Sequence, residues 1–126
     1  MKLLLAEDEV DMSEALVDIL TYHKYTVDAV FDGEEALDYA TIGEYDGIIL
    51  DIMMPKIDGY KVLASIRNAE RKHGVSRMLR SKVIMTSALD ETSFDSNQAS
   101  DDYDDYICKP IDIMKFNEIL KKLDVI

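Results

Sequence analysis

Five polar residues stand where short apolar runs end. Glu7 and Asp8 follow Leu3–Ala6, Asp51 follows Ile48–Leu50, Thr86 closes Val83–Thr86, and Lys109 comes after Tyr106–Cys108. Runs of this kind are consistent with strands buried on both faces of a parallel sheet, although a buried helical segment can read the same way. In an open parallel sheet the ligand crevice lies outside the carboxyl ends of the strands, so all five residues would share one edge. Carboxylates about 4 Å apart repel by about 4 kcal/mol per pair at an effective dielectric near 20, so Glu7, Asp8 and Asp51 need a cation or a proton between them. Mg²⁺ suits best, because it accepts a few carboxylate oxygens while keeping several waters. Lys109 supplies a point charge able to hold Asp51 or an anionic group on it, and Thr86 supplies a hydroxyl. Together these make a phosphoryl-accepting centre in which Asp51 attacks in line and the ion and Lys109 neutralise the transferring oxygens.

The elements that must position these residues alternate along the chain. Strand signals fall at Lys2–Ala6, Thr26–Val30, Tyr45–Asp51, Lys82–Thr86 and Tyr103–Cys108. Between them, Met12, Ala15, Leu16, Ile19 and Leu20 recur at helical spacing, with Ser13 or Asp11 as the expected cap. Asp32-Gly33-Glu34-Glu35 opens a second helix with Ala36, Leu37 and Ala40 inward, its acidic first turn suiting the positive helix N-terminus, and Gly43 ends it. A third helix from Gly59 turns Val62, Leu63 and Ile66 inward, and Ile113, Phe116, Ile119, Leu120 and Leu123 mark a last one. The stretch from Asp90 to Asp102 should hold a fourth crossover helix, yet only Phe94 and Ala99 are apolar there. Its Thr92, Ser93, Ser96, Asn97 and Ser100 compete for backbone hydrogen bonds, so a short, irregular or mobile element is expected. Alternation of this kind predicts an α/β protein with a doubly wound five-stranded parallel sheet and right-handed crossovers.

The 126 residues suit one compact domain spanning 1–126, with 48% apolar and 32% charged residues and only two prolines. No apolar run approaches the ~20 residues of a membrane span, and the N-terminus turns acidic too soon for a signal peptide. A cytoplasmic location is expected, and the single cysteine, Cys108, fits a reducing compartment. A net charge of −12 disfavours direct binding to nucleic acid or to anionic lipid. Six of the fourteen Lys and Arg lie between Arg67 and Lys82, which reads as solvated surface. Asp90 to Asp105 carries seven acids and no Lys or Arg, so a docking face there prefers a basic partner.

Four segments in this order resemble the receiver domain of two-component response regulators: Leu-Leu-Ala-Glu-Asp-Glu (4–9), Asp-Gly-Ile-Ile-Leu-Asp-Ile-Met-Met-Pro-Lys-Ile-Asp-Gly (46–59), Val-Ile-Met-Thr-Ser-Ala (83–88) and Asp-Asp-Tyr-Ile-Cys-Lys-Pro (104–110). The resemblance implies a flavodoxin-like (βα)5 fold and makes Asp51 the phosphoacceptor. It implies that Asp8, Asp51 and the Met53 carbonyl bind Mg²⁺ directly and Glu7 through water. Thr86 and Tyr106 resemble the pair that rearranges on phosphorylation, and Lys109-Pro110 resembles a step that is usually a cis peptide. The implied partners are a histidine kinase or phosphotransfer protein and an output partner or downstream domain of unknown identity, with a phosphorylation-dependent dimer as a further expectation. The only catalysis implied is the domain's own phosphorylation and autodephosphorylation. Three features depart from the family pattern: a long connection before Lys82, the polar stretch from Asp90 to Asp102, and Asp102-Tyr103 in place of a small Gly-Ala pair. They bear on the output surface rather than on the chemistry. Two rival readings are a haloacid-dehalogenase-type phosphatase, whose second acid is here Met53, and a pseudo-receiver that only binds partners. The intact set of Glu7, Asp8, Asp51, Thr86 and Lys109 argues against the second.

Overall fold

A computed structural model describes residues 2–76, 80–87 and 103–124. Its strands are β1 (Lys2–Ala6), β2 (Thr26–Val30), β3 (Gly47–Asp51), β4 (Lys82–Ser87) and β5 (Asp105–Cys108), all parallel in the order β2-β1-β3-β4-β5. The helices among the described residues are α1 (Val10–Tyr22), α2 (Gly33–Ile42), α3 (Gly59–Lys72) and α4 (Ile113–Asp124). This is the doubly wound sheet expected from the alternation of signals. The stretch from Asp90 to Asp102, expected to be short or irregular, lies outside the described residues.

The two-residue period of a strand sorts the core into two layers. Leu4, Ile48, Leu50, Val83 and Met85 face Ala36 of α2 and Val62, Leu63 and Ile66 of α3. Leu3, Leu5, Ile49, Ile84 and Ile107 face Leu16 and Leu20 of α1 and Phe116, Ile119 and Leu120 of α4. Each such side chain contributes about 1.5–3 kcal/mol by leaving water. Because both faces are covered, β1, β3 and β4 read as near-continuous apolar runs whose polar groups stand at their ends.

Several local expectations need correction. Glu9 is the N-cap of α1, with no side-chain bond of its own, so neither Asp11 nor Ser13 caps the helix. Ser13 lies inside the helix and is buried, while Ala15 is exposed, because the buried stripe runs Ser13-Leu16-Leu20. Tyr45 is not part of β3, although Asp46 extends the ladder by accepting from Lys82 N–H (3.0 Å) and donating to the Lys2 carbonyl (2.9 Å). Tyr45 instead donates its hydroxyl to Asp28 (2.7 Å). Likewise β5 starts at Asp105 rather than Tyr103, and β4 runs on to Ser87. Ile113, at the first position of α4, is exposed because the helix meets the sheet only from Phe116 onward.

The largest departure is Arg67. Its side chain is 2% exposed, although it opens the stretch read as solvated surface. The guanidinium donates to Glu70 (2.7 Å) and to the Ser81 carbonyl (2.9 Å), and it pairs with Asp104 at 3.4 Å. Asp104 also accepts from Val83 N–H (2.8 Å), and Glu70 accepts from Ser81 N–H (2.9 Å). One buried cation therefore ties α3 to the entry of β4 and to the residue before β5. A planar fork of donors can satisfy three acceptors at once, which an ammonium group could not match in this geometry.

Candidate functional site

Parallel register brings the strand ends together. Asp51 lies opposite Thr86, and Thr86 opposite Ile107, which places Lys109 two residues beyond the same row. Glu7 follows β1 directly, its N–H donating to the Val30 carbonyl at 3.2 Å. Glu7, Asp51 and Thr86 are buried, at 1%, 2% and 1% exposure, while Asp8 is exposed. Oxygens of Glu7, Asp8 and Asp51, one from each, lie within 4.8 Å of one another.

Lys109 closes this cluster from the side of β5. Its Nζ donates to Glu7 Oε1 (3.0 Å) and to Asp51 Oδ2 (3.1 Å). The sequence pointed to Asp51 as its partner, and the contact with Glu7 is an addition. Nζ is also 2.9 Å from Glu7 Oε2, an ion-pair distance without the alignment of a hydrogen bond. Oε2 is thus a buried oxygen lacking a hydrogen-bond partner. The other Glu7 oxygen accepts from Glu9 N–H as well (3.2 Å), so Glu7 also steadies the start of α1. The Lys109-Pro110 peptide is cis.

Burial, and after it the neighbouring Glu7 carboxylate, push the Asp51 carboxyl up to about 6 against the opposing pull of Lys109 and the Met53 N–H. For Lys109, burial alone would favour the neutral amine, but hydrogen bonds and charge from Glu7 and Asp51 outweigh it and hold the ammonium above its usual range. An acid kept partly protonated near neutrality is one whose ionised form gains from an added cation. The donor set is all oxygen, one of those oxygens is buried without a hydrogen bond, and the carboxylates converge; these features fit a hard divalent ion such as Mg²⁺.

The loop after β3 completes the site. Met53 N–H donates to Asp51 Oδ1 (3.2 Å), Ile52 N–H to the Thr86 carbonyl (2.9 Å), and Gly59 N–H to the Ile52 carbonyl (2.8 Å). The Met53 side chain is 65% exposed. Tyr106 sits opposite Met85, one register position from Thr86, half-buried against the layer that holds α2 and α3. Its ring meets Tyr103 edge-on at 6.3 Å. Two features had escaped the sequence reading. One is the buried Arg67 cluster, for which the only hint was an Arg one residue past the apolar Ile66. The other is the contact of the 52–58 loop with α2, hinted at by a glycine at a helix start, where alanine is the better helix former.

A buried aspartate at the end of a central parallel strand, an acidic pair just beyond the neighbouring strand and a lysine bridging Asp51 and Glu7 define an acid-centred class of α/β domain. The family model for the response regulator receiver domain matches residues 3–122, and the chain belongs to that family. It is 38% identical over 112 residues to the transcriptional regulatory protein DltR of Streptococcus agalactiae serotype III (strain NEM316), a match covering 89% of this chain and 46% of DltR. It is 35% identical over 127 residues to the response regulator ArlR of Staphylococcus aureus (strain Mu50), covering 99% of this chain and 52% of ArlR. The chain thus spans about half the length of the curated relatives it matches. Among solved structures, the response regulator TrrA of Thermotoga maritima, in complex with Mg²⁺-BeF, is 32% identical with a TM-score of 0.81, covering 97% of each chain. TrrA has also been solved in complex with the histidine kinase ThkA. Among the described residues no helix is long and apolar enough to cross a membrane.

Proposed function

We propose that this receiver domain takes a phosphoryl group onto Asp51 from a phosphohistidine donor and uses the product to switch a partner-binding surface. The observation that carries the reading is the bridge from Lys109 to both Asp51 and Glu7, with one oxygen of Glu7 held there by ion pairing alone. Asp8, Asp51 and the Met53 carbonyl would hold Mg²⁺, with Glu7 in support. When bound, the ion neutralises charge on the transferring oxygens and on the acids.

An Asp51 carboxylate oxygen attacks phosphorus in line. The phosphorus–nitrogen bond breaks with its electron pair staying on the imidazole, which leaves neutral with a proton on its other nitrogen. Lys109, already at hydrogen-bond distance from Asp51 Oδ2, follows the new phosphoryl oxygens, and Thr86, opposite Asp51 in register, donates its hydroxyl to them. Hydrolysis reverses the state: water adds to phosphorus, inorganic phosphate leaves, and the carboxylate is restored. The acyl phosphate shifts the domain only because it contacts Thr86 and Lys109 differently from the free acid. Tyr106, opposite Met85 and one register position from Thr86, is the group that would report the change on the sheet face that holds α2 and α3. The complex of TrrA with ThkA supports a histidine kinase as donor, and the relationship to DltR supports an output domain or partner that acts on transcription. A cytoplasmic location belongs to the same proposal, since a histidine kinase must reach Asp51 there.

The test is phosphoryl labelling from a phosphorylated kinase or from acetyl phosphate in Mg²⁺. Wild type should take label, lose it slowly and fail to take it in EDTA, and Asp51→Asn should remain unlabelled. Label on Asp51→Asn, or rapid turnover of a small phosphoester by wild type, would overturn the assignment.

A further inference from the structure

The 52–58 loop that carries Met53 from β3 to α3 is pinned at two places where backbone meets backbone. A Cβ on Gly33 would collide with the Ile57 carbonyl oxygen and lie 2.6 Å from its carbon. A Cβ on Gly59 would collide with the Asp51 carbonyl oxygen and lie 2.8 Å from Ile52 Cα. Neither obstacle is the end of a flexible side chain, so neither can swing aside.

Further contacts tie the loop to the first turn of α2. Gly33 N–H donates to the Pro55 carbonyl (3.2 Å), which also accepts from Ile57 N–H (2.9 Å). Between them Lys56 is held at φ +71°, in the left-handed region, where a non-glycine residue persists only when its surroundings impose it. Lys56 Nζ is 3.5 Å from Asp32 Oδ2, while the other oxygen of Asp32 caps α2 at Glu35 N–H (2.8 Å). The start of α2 is therefore a stop on which the loop rests, and Gly59 closes the other end onto Asp51 itself.

We propose that Gly33 is a positioning residue for the acidic centre: the absence of its side chain lets the Ile57 and Pro55 carbonyls seat on α2, which sets the Met53 backbone relative to Asp51 at the distance needed to share one cation. This rests on the phosphoacceptor reading above. The atoms a Cβ on Gly33 would meet belong to Ile57, and alanine is the better helix former, so damage from Gly33→Ala should arise where α2 meets the loop.

The experiment is Mg²⁺ titration of wild type and Gly33→Ala by calorimetry, alongside circular dichroism and labelling with acetyl phosphate. The expected result is a folded variant whose Mg²⁺ dissociation constant rises about 10- to 100-fold, as for loss of an outer support of a metal site, with slower labelling. A folded variant that binds Mg²⁺ like wild type overturns the proposal even if its melting temperature falls, since a purely structural role would do only that. Should the variant not fold, the wild-type protein decides. Its Gly33 amide resonance must move on saturation with Mg²⁺, and a Gly33 resonance that stays fixed while those of Asp51 and Met53 move overturns the proposal. Wild type that binds no Mg²⁺ and takes no label overturns the phosphoacceptor reading and this inference together, which sets that outcome apart from the others.

Discussion

Lys109 Nζ stands 3.1 Å from Asp51 Oδ2, so the cation delivered by the last strand neutralises the acid delivered by the central one. The same ammonium reaches Glu7, so removing it leaves two buried carboxylates facing each other. Lys109→Met should cost about 3 kcal/mol of stability in the absence of metal, by urea unfolding at pH 7, because a buried charge that has lost its partner is penalised far more than the pair gains. Millimolar Mg²⁺ should return part of that loss. A variant as stable as wild type without metal would mean that Lys109 does not hold the acids in place.

Asp51 sets a pH dependence with a definite sign. Its folded value of about 6 lies above the ordinary 3.8, so between those values the folded protein holds a proton that the unfolded chain has released. Its contribution to metal-free stability therefore falls as pH rises through this window, and the full penalty is present above about 6. Mg²⁺ needs the ionised acid, so metal affinity should weaken as pH drops below about 6. Melting curves with and without Mg²⁺ at pH 8, 7, 6 and 5 should show the metal-induced rise shrinking through pH 6. In Asp51→Asn that rise should be nearly absent throughout.

The Arg67 cluster makes a prediction about stability rather than chemistry. Arg67→Ala removes the buried cation shared by Glu70 and Asp104, two acids only 16% and 19% exposed, leaving Asp104 with Arg80 at 3.5 Å, and should cost about 3 kcal/mol. Hydrogen exchange should locate the loss at the start of β4 and around Asp104. A cost below about 1 kcal/mol would place Arg67 with ordinary surface pairs.

Asp58 links α3 to the site loop through its cap, accepting from Lys61 N–H at 3.0 Å. Asp58→Ala should destabilise by about 1 kcal/mol, and Asp58→Asn by less, because the amide oxygen can still accept. Equal losses for the two variants would point to the charge rather than to the hydrogen bond.

What the sequence determined by itself was the succession of elements and the polarity of the strand ends. Runs such as Leu3–Ala6 and Ile48–Leu50 can be buried on both faces only between helices, and the alternation of signals left a parallel sheet as the economical arrangement. Parallel strands put Glu7, Asp8, Asp51, Thr86 and Lys109 at one edge, so the candidate site was legible before any distance was known. Boundaries were less legible, because Tyr45 and Tyr103 have strand-like side chains yet stand outside the ladder, the hydroxyl of Tyr45 held by Asp28 from β2 and the ring of Tyr103 turned edge-on to nearby Tyr106. Local pattern also failed for Arg67, where a charge at the edge of an apolar stripe goes inward only because Asp104 and the Ser81 carbonyl, both distant in sequence, meet it there beside Glu70 of the same helix. Only the tertiary structure decided that Lys109 spans two carboxylates, and that Gly33, far from Asp51 in the chain, meets the loop which carries Met53. Those contacts depend on how elements distant in sequence are packed, and residue type and spacing carry no direct record of that.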